Sequence, residues 1–89
     1  MGAFNYSHLN ANASTTLASA PVTLHSVSIN TKGATSNTLT LNDGAGGTTI
    51  AVIDTTAGPS FYLFDVQCKS GLQAVIASGT AADVTISFG

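Results

Sequence analysis

The stretch with the clearest potential for chemistry is "LNDGAGGTTI", residues 41–50, in which three glycines follow Asp43 closely. A glycine-rich loop can hold a phosphate when a helix follows it, because the helix N-terminus supplies free N–H donors and positive potential. Here the next residues, "TTIAVID" (48–54), alternate as a strand does, and no lysine lies in the loop. The Asp43–Gly44 pair therefore predicts a β-hairpin turn that binds neither nucleotide nor metal.

The other residues able to bind a metal or act in catalysis are His8, His25 and Cys68. They are scattered along the chain, whereas a structural zinc site needs four ligands with closely spaced pairs. The chain contains no Glu, no Arg and no G-x-S-x-G elbow, so acid–base chemistry would depend on its Asp and His residues alone. We therefore expect no enzymatic activity, no catalytic residue, no cofactor and no metal. His25 is expected to be a surface residue or one whose hydrogen bonds are satisfied, and Cys68 an unreactive, buried or half-buried thiol.

Aromatic side chains leave one binding chemistry open, the stacking of sugars on exposed rings. The chain has no Trp, and the candidate platforms outside the core are Tyr6, Phe61 and Tyr62. Phe61, Tyr62 and Phe64 are better interpreted as core plus subunit interface, because large aromatic residues dominate both environments.

The composition points away from nucleic acid and membrane partners. Only 7% of the 89 residues are charged and the net charge is −2, against about 25% charged in ordinary soluble domains. Such a chain has no basic surface for nucleic acid or anionic lipid, and its longest apolar runs are far too short to span a bilayer as a helix. A single small domain without a disulfide often gains stability by oligomerisation. We therefore expect a homo-oligomer, with a trimer as the expected state.

The pattern of residues predicts an all-β fold. Short alternating runs separated by glycine-containing turns are typical of a sandwich or barrel, and no segment has a helical period. Six strands are predicted, in the runs 22–30, 37–41, 48–54, 61–67, 72–77 and 83–88, with a seventh if Thr15 to Ser19 pairs at an edge. In the first run the alternation slips by one residue, which predicts a bulge near His25–Ser26. Aromatic residues on both faces predict that 61–67 is a central strand or is covered on its second face.

These strands predict a small antiparallel β-sandwich over residues 21–89, of which a jelly-roll-like arrangement is one variant. The predicted core consists of Leu24, Ile29, Leu39, Leu41, Ile50, Val52, Leu63, Leu72, Ile76, Val84 and Ile86. Residues 1–20 are rich in Asn, Ala and Ser, and are predicted to form an extended N-terminal arm. Phe4, Tyr6 and Leu9 are spaced to share one side of this arm, and are the candidate contacts to a partner.

The cadence of residues 22–89 resembles that of small β-proteins encoded among the structural genes of tailed bacteriophages. The likeness rests on "VSINTKGATSNTLTLNDGAGGTTIAVIDTT" and on "GLQAVIASGTAADVTISFG". It consists of strand and turn motifs, and no functional residue is carried over from it.

The resemblance implies a structural virion protein, and among these a capsid decoration or cement protein that stabilises the shell. Its partners would be the major capsid protein and further copies of itself, on the capsid surface of the virion and in the host cytoplasm during assembly. The alternative is a glycan-binding host-attachment module of a tail fibre or spike. Solvent-facing aromatic residues in a groove would favour the glycan, and their burial against a second copy would favour the cement protein.

Overall fold

The computed structural model describes residues 4–89, which fold into eight β-strands and one short 3-10 turn. The strands are β1 (Asn5–Leu9), β2 (Ala13–Ala18), β3 (Val22–Thr31), β4 (Thr38–Asp43), β5 (Thr48–Asp54), β6 (Ser60–Cys68), β7 (Leu72–Ala77) and β8 (Asp83–Phe88), and the 3-10 turn is Thr55–Ala57. The all-β prediction is confirmed, and β3 to β8 coincide with the six predicted strands.

The strands form two antiparallel four-stranded sheets. The front sheet has the order β1-β8-β3-β6 and the back sheet the order β2-β7-β4-β5. Along the chain, β1 pairs with β8, β2 with β7, β3 with β6 and β4 with β5. A chain folded into one long double-stranded ribbon, whose successive pairs fall in alternating sheets, is a jelly roll. The predicted β-sandwich is thus confirmed, in its jelly-roll variant.

The core lies between the two sheets, where alternate side chains of each strand meet. Eight of the predicted core residues are buried: Leu24, Ile29, Leu39, Leu41, Leu72, Ile76, Val84 and Ile86. Val27, Ile53, Cys68 and Phe88 join them in the same cluster. The predicted bulge is also present, because the pairing of β3 with both neighbours shifts between Leu24 and Ser26.

Two predicted core residues, Val52 and Leu63, lie outside the core, with 61% and 62% of their surface exposed. In β5, Leu39 pairs with Ile53 and Leu41 with Ala51, so Val52 between them faces outward. The pairing shifts next to Ile50, which is only partly buried. A one-residue slip exchanges the two faces of a strand, and this is why an unbroken alternation predicts the wrong side for Val52.

Of the two alternatives predicted for 61–67, the central strand is wrong, whereas a covered second face stays a prediction. Strand β6 lies at the edge of the front sheet and pairs only with β3. Its pairing shifts opposite the bulge of β3, where Asp65 takes a positive φ of 51°. Because β6 carries apolar residues on both faces and only one face is turned toward the core, the apolar residues of its other face meet solvent.

The N-terminal segment differs from the predicted arm. Residues 5–9 pair with β8 at one edge of the front sheet, and residues 13–18 pair with β7 at one edge of the back sheet. The backbone hydrogen bonds of a ladder need no particular side chain, and an edge strand packs only one face against the core. A run of Asn, Ala, Ser and Thr can therefore complete a sheet without a strong apolar alternation.

Candidate interaction surface

The glycine cluster is a hairpin turn, as predicted. It joins β4 to β5, with Gly44 and Gly46 at positive φ values of 86° and 68°. The Gly46 N–H donates to Oε1 of Gln73 at 3.1 Å, and the Asp43 carboxylate accepts from the Ser70 N–H at 2.7 Å. The N–H groups of the three glycines and the Asp43 carboxylate are thus used within the chain. A strand comes after the turn, so the turn lacks the geometry of a phosphate site.

The three candidate metal ligands lie apart. Cys68 is fully buried between the sheets, where loss of solvent raises the pKa of its thiol, as expected for an unreactive cysteine. His8 and His25 lie on the outer face of the front sheet, each beside an aspartate. Within residues 4–89, no three His, Cys, Asp or Glu side chains gather closely enough to hold a metal ion.

The outer face of the front sheet carries most of the exposed apolar surface. Cross-strand pairing places Tyr6, Ser87, Ser26 and Leu63 in one row across β1, β8, β3 and β6. The adjacent row contains His8, Thr85, Ser28 and Phe61. Small hydroxyl residues thus form the middle of this face, and large side chains stand at its two edges.

The large side chains at the edges are strongly exposed: 73% for Tyr6, 66% for Phe61 and 62% for Leu63. Three inter-strand spacings separate β1 from β6, or about 14 Å. The described residues enclose no pocket. This face is therefore a broad, open surface with Tyr6 on one edge and with Phe61 and Leu63 on the other. Tyr62, between them, points to the opposite face of β6, and the three residues together are the exposed apolar strip, Phe61–Leu63.

Two histidine–aspartate pairs frame the same face. Nδ1 of His25 lies 2.5 Å from Oδ1 of Asp65, and the His25 ring stacks on Phe4 with centroids 4.1 Å apart and planes 5° apart. Nε2 of His8 lies 2.6 Å from Oδ1 of Asp83.

Asp83 is the centre of a polar cluster that joins three strands of the front sheet. Nδ2 of Asn30 donates at 3.0 Å both to Oδ1 of Asp83 and to Oγ1 of Thr85. Hydrogen bonds from Asn30 and then from His8 lower the pKa of the Asp83 carboxyl below its ordinary value. The cluster therefore supplies hydrogen-bonding groups beside the apolar edges of the front sheet.

The structure separates the three residues predicted to contact a partner. Tyr6 points to solvent, and Phe4 is 45% exposed beside His25. Leu9 packs against the core, because it lies an odd number of positions from Tyr6 and so faces the opposite side of β1. Leu9 is therefore not on the surface that Phe4 and Tyr6 share, which corrects the predicted set.

Sequence reasoning missed Asn37, a fully buried polar residue at one end of the sandwich. Its Nδ2 donates to the carbonyl oxygens of Ala77 and Ser78 and to Oδ1 of Asn12, at 2.7–3.1 Å. Its Oδ1 accepts from Oγ1 of Thr55 and from the N–H of Ala82. Asn37 thus ties four connections together. The sequence offers no more than an asparagine at a turn, which is too common to single out.

The outer face of the back sheet is different in character. Its outward positions carry mainly Ser, Thr, Asn and Gln side chains: Ser14, Thr16, Thr38, Thr40, Asn42, Thr49 and Gln73. Of the six large apolar side chains that are exposed among the described residues, only Val52 lies on this sheet. The candidate interaction surface is therefore the front sheet alone.

Comparison with protein-family models, with curated proteins and with solved structures finds no match to this chain. Among residues 4–89, no helix is long and apolar enough to cross a membrane.

Proposed function

We propose that this protein is a structural component of a tailed-bacteriophage virion, a capsid decoration or cement protein that binds the major capsid protein and further copies of itself. The observation that carries the proposal is the exposed apolar surface of the front sheet. Exposed apolar patches on a small domain mark sites of protein–protein contact. In this molecule the exposed apolar side chains stand at the two edges of one sheet, so one side of the protein would face the shell.

The distribution of charge supports a protein partner. Lys32 and Lys69, the two cations of the sequence other than histidine, both lie in connections between strands. Neither sheet therefore presents a lysine to solvent from within a strand. A weakly charged face with apolar edges suits a partner that excludes water, rather than a phosphate backbone or a charged substrate.

The fold supports the same interpretation by analogy. Jelly rolls occur in viral capsid proteins and in lectins, and the same architecture hosts unrelated functions. The analogy therefore favours the capsid protein and the glycan-binding module equally. Only the properties of the surface can distinguish between these two functions.

Mass spectrometry of purified virions from the phage or prophage that encodes this chain tests the proposal. We expect the protein in a fixed ratio to the major capsid protein. Purified protein should also bind isolated shells, and Tyr6→Ser should bind less than Thr40→Ser, a matched polar control on the back sheet. Absence from virions together with failure to bind shells would contradict the proposal.

Glycan binding is the second candidate, and one observation favours it. The polar cluster of Asn30, Asp83, Thr85 and His8 lies on the same face as the exposed rings of Tyr6 and Phe61. Stacking rings beside hydrogen-bonding side chains are what a sugar requires. A glycan array should then show binding that Asn30→Ala and Tyr6→Ala each weaken. Uniformly negative arrays, with binding to shells, would exclude this candidate in favour of the cement protein.

A further inference from the structure

Strand β6 presents an unprotected edge. An edge strand exposes unpaired N–H and C=O groups, and proteins usually protect it by shortness, charge, proline or a bulge. In the front sheet β6 has nine residues, whereas β1, the other edge, has five. The exposed apolar strip Phe61–Leu63 lies in the first half of this long edge, and none of its three residues is charged.

Protective features are present in β6, but they flank the strip. Pro59, just before the strand, has no N–H to donate. Asp65 is charged, and its positive φ of 51° breaks the regular strand geometry. The stretch available for pairing is therefore Ser60–Phe64, five residues with Tyr62 at their centre.

This stretch is complementary to itself in the antiparallel direction. If Tyr62 lies opposite the same residue of a second copy, Phe61 lies opposite Leu63 and Ser60 opposite Phe64. Phe61 and Leu63 both point to the outer face of the front sheet, so the register forms two aromatic–aliphatic pairs, which stabilise a ladder. Each Asp65 lies opposite a Pro59, which keeps the two carboxylates apart.

We propose that β6 pairs antiparallel with β6 of a second copy about a two-fold axis at Tyr62, joining two front sheets into one eight-stranded sheet. The pairing gives Phe61 and Leu63, which lie exposed in the single chain, apolar cross-strand partners on the outer face. It deepens the self-association part of the proposed function and does not depend on the capsid part. A two-fold contact closes with two copies, so it predicts a dimer in place of the trimer expected from the sequence.

The contact is small, because five residues on each side bury less than the roughly 1,200 Å² of a stable interface. The dimer should therefore form reversibly and depend on concentration. Attachment of many copies to one surface raises their local concentration, so a weak contact repeated across a shell still contributes.

Sedimentation of the full chain over a range of concentrations tests the contact. We expect a monomer–dimer equilibrium that Leu63→Lys weakens about tenfold or more, since each two-fold dimer contains the substitution twice. Val52→Lys is the matched control, because Val52 is equally exposed, at 61% against 62%, on an edge strand of the other sheet. A trimer, an open series of larger species, a monomer at all concentrations, or equal effects of the two variants would overturn the proposal.

Disulfide formation tests the register. Opposed residues of antiparallel strands have Cα atoms about 4.5–5.5 Å apart, within reach of a disulfide, whereas diagonal neighbours are about 7–8 Å apart. Tyr62→Cys should therefore form a covalent dimer on mild oxidation. Phe61→Cys alone should not, but should cross-link when mixed with Leu63→Cys. Cross-linking of Phe61→Cys alone as fast as Tyr62→Cys would overturn the register.

The wild-type chain is the control for this oxidation, since Cys68 is buried. Failure of this proposal is distinguishable from failure of the proposed function. If the protein is present in virions but shows no β6 contact, only the proposed pairing is contradicted. If it forms a dimer with the predicted register but is absent from virions and does not bind shells, only the proposed virion role is contradicted.

Discussion

The two sheets share one core but differ on their outer faces. The back sheet follows the ordinary pattern of a soluble sandwich, with apolar residues inward and hydroxyl or amide residues outward. The front sheet breaks this pattern at both edges, with Tyr6 on β1 and the exposed apolar strip on β6. Both inner faces contribute to the same core, so the sheets differ chiefly in what they expose. The proposed contact with another molecule rests on this difference.

The largest losses of stability are expected from substitutions on the inner faces, where both sheets contribute buried residues to the core. Leu39 of the back sheet and Ile86 of the front sheet are both fully buried. Leu39→Ala and Ile86→Ala should each lower the free energy of unfolding by about 2–5 kcal/mol, through lost burial and the cavity left behind. Urea denaturation below the dimerisation concentration measures this. A loss below about 1 kcal/mol in one sheet would show that the two inner faces are not equivalent.

The next effect concerns the residue that joins the sheets at one end. Asn37→Ala removes the hydrogen bonds to the part-buried carbonyl oxygens of Ala77 and Ser78 and to the buried N–H of Ala82. Each such group costs about 1–3 kcal/mol, so we expect a loss of at least about 2 kcal/mol. Asn12→Ala, which removes one exposed partner, is the control. Equal losses in both variants would contradict a central role for Asn37.

Two glycines in the β4–β5 hairpin of the back sheet should differ in how much their substitution lowers stability. A Cβ on Gly47 would lie 1.9 Å from the carbonyl oxygen of Asp43, whereas a Cβ on Gly46 would meet nothing within 4 Å. Gly47→Ala should therefore cost about 1–3 kcal/mol, as overpacking does. Gly46→Ala should cost about 1 kcal/mol, because alanine tolerates the positive φ less well than glycine. In thermal denaturation, Gly47→Ala should lower the midpoint temperature more than Gly46→Ala does. The reverse order would contradict this turn geometry.

The outer faces should affect stability little. Leu63→Thr and Val52→Thr remove exposed apolar groups and retain a residue suited to strands. Each should change the unfolding free energy of the monomer by no more than about 0.5 kcal/mol. Chemical denaturation at low protein concentration is the measurement. Losses of about 2 kcal/mol or more would restore these residues to the core, as the sequence alone predicts.

The smallest effect is a dependence on pH. Hydrogen bonds lower the pKa of Asp83 in the front sheet and of Asp54 at the end of β5 below 3.8. A carboxyl whose pKa is lower in the folded state stabilises the fold above its unfolded pKa, and this contribution disappears as pH falls through the folded pKa. Stability should therefore decline below about pH 4, and Asp83→Asn and Asp54→Asn should each flatten that decline.

Unfolding midpoints between about pH 2 and 6 would measure this decline. We expect the larger flattening from Asp83→Asn, because Asp83 joins three strands, whereas Asp54 bonds only Thr56, two residues away. A larger effect of Asp54→Asn would place the stronger electrostatic contribution in the back sheet.

Local sequence patterns were sufficient for the fold class, the six strands from residue 22 onward, the bulge near His25 and the hairpin at Asp43–Gly44. These features depend on local rules, namely the period of two in a strand and the positive φ that glycine allows. The exclusion of a phosphate cradle at the glycines is equally local, because it depends only on the strand "TTIAVID" that comes directly after them.

Long-range packing, in contrast, fixed which strands are edges and which faces meet solvent. The bulge in β5 reversed the side of Val52, and the edge position of β6 placed Leu63 in solvent, although both runs alternate as core strands do. Residues 5–9 and 13–18 became strands because β8 and β7 offered them backbone partners far along the chain. Asn37 became central because four connections meet around it. Pairing and burial between distant residues are cooperative properties of the packed chain, which no local pattern contains.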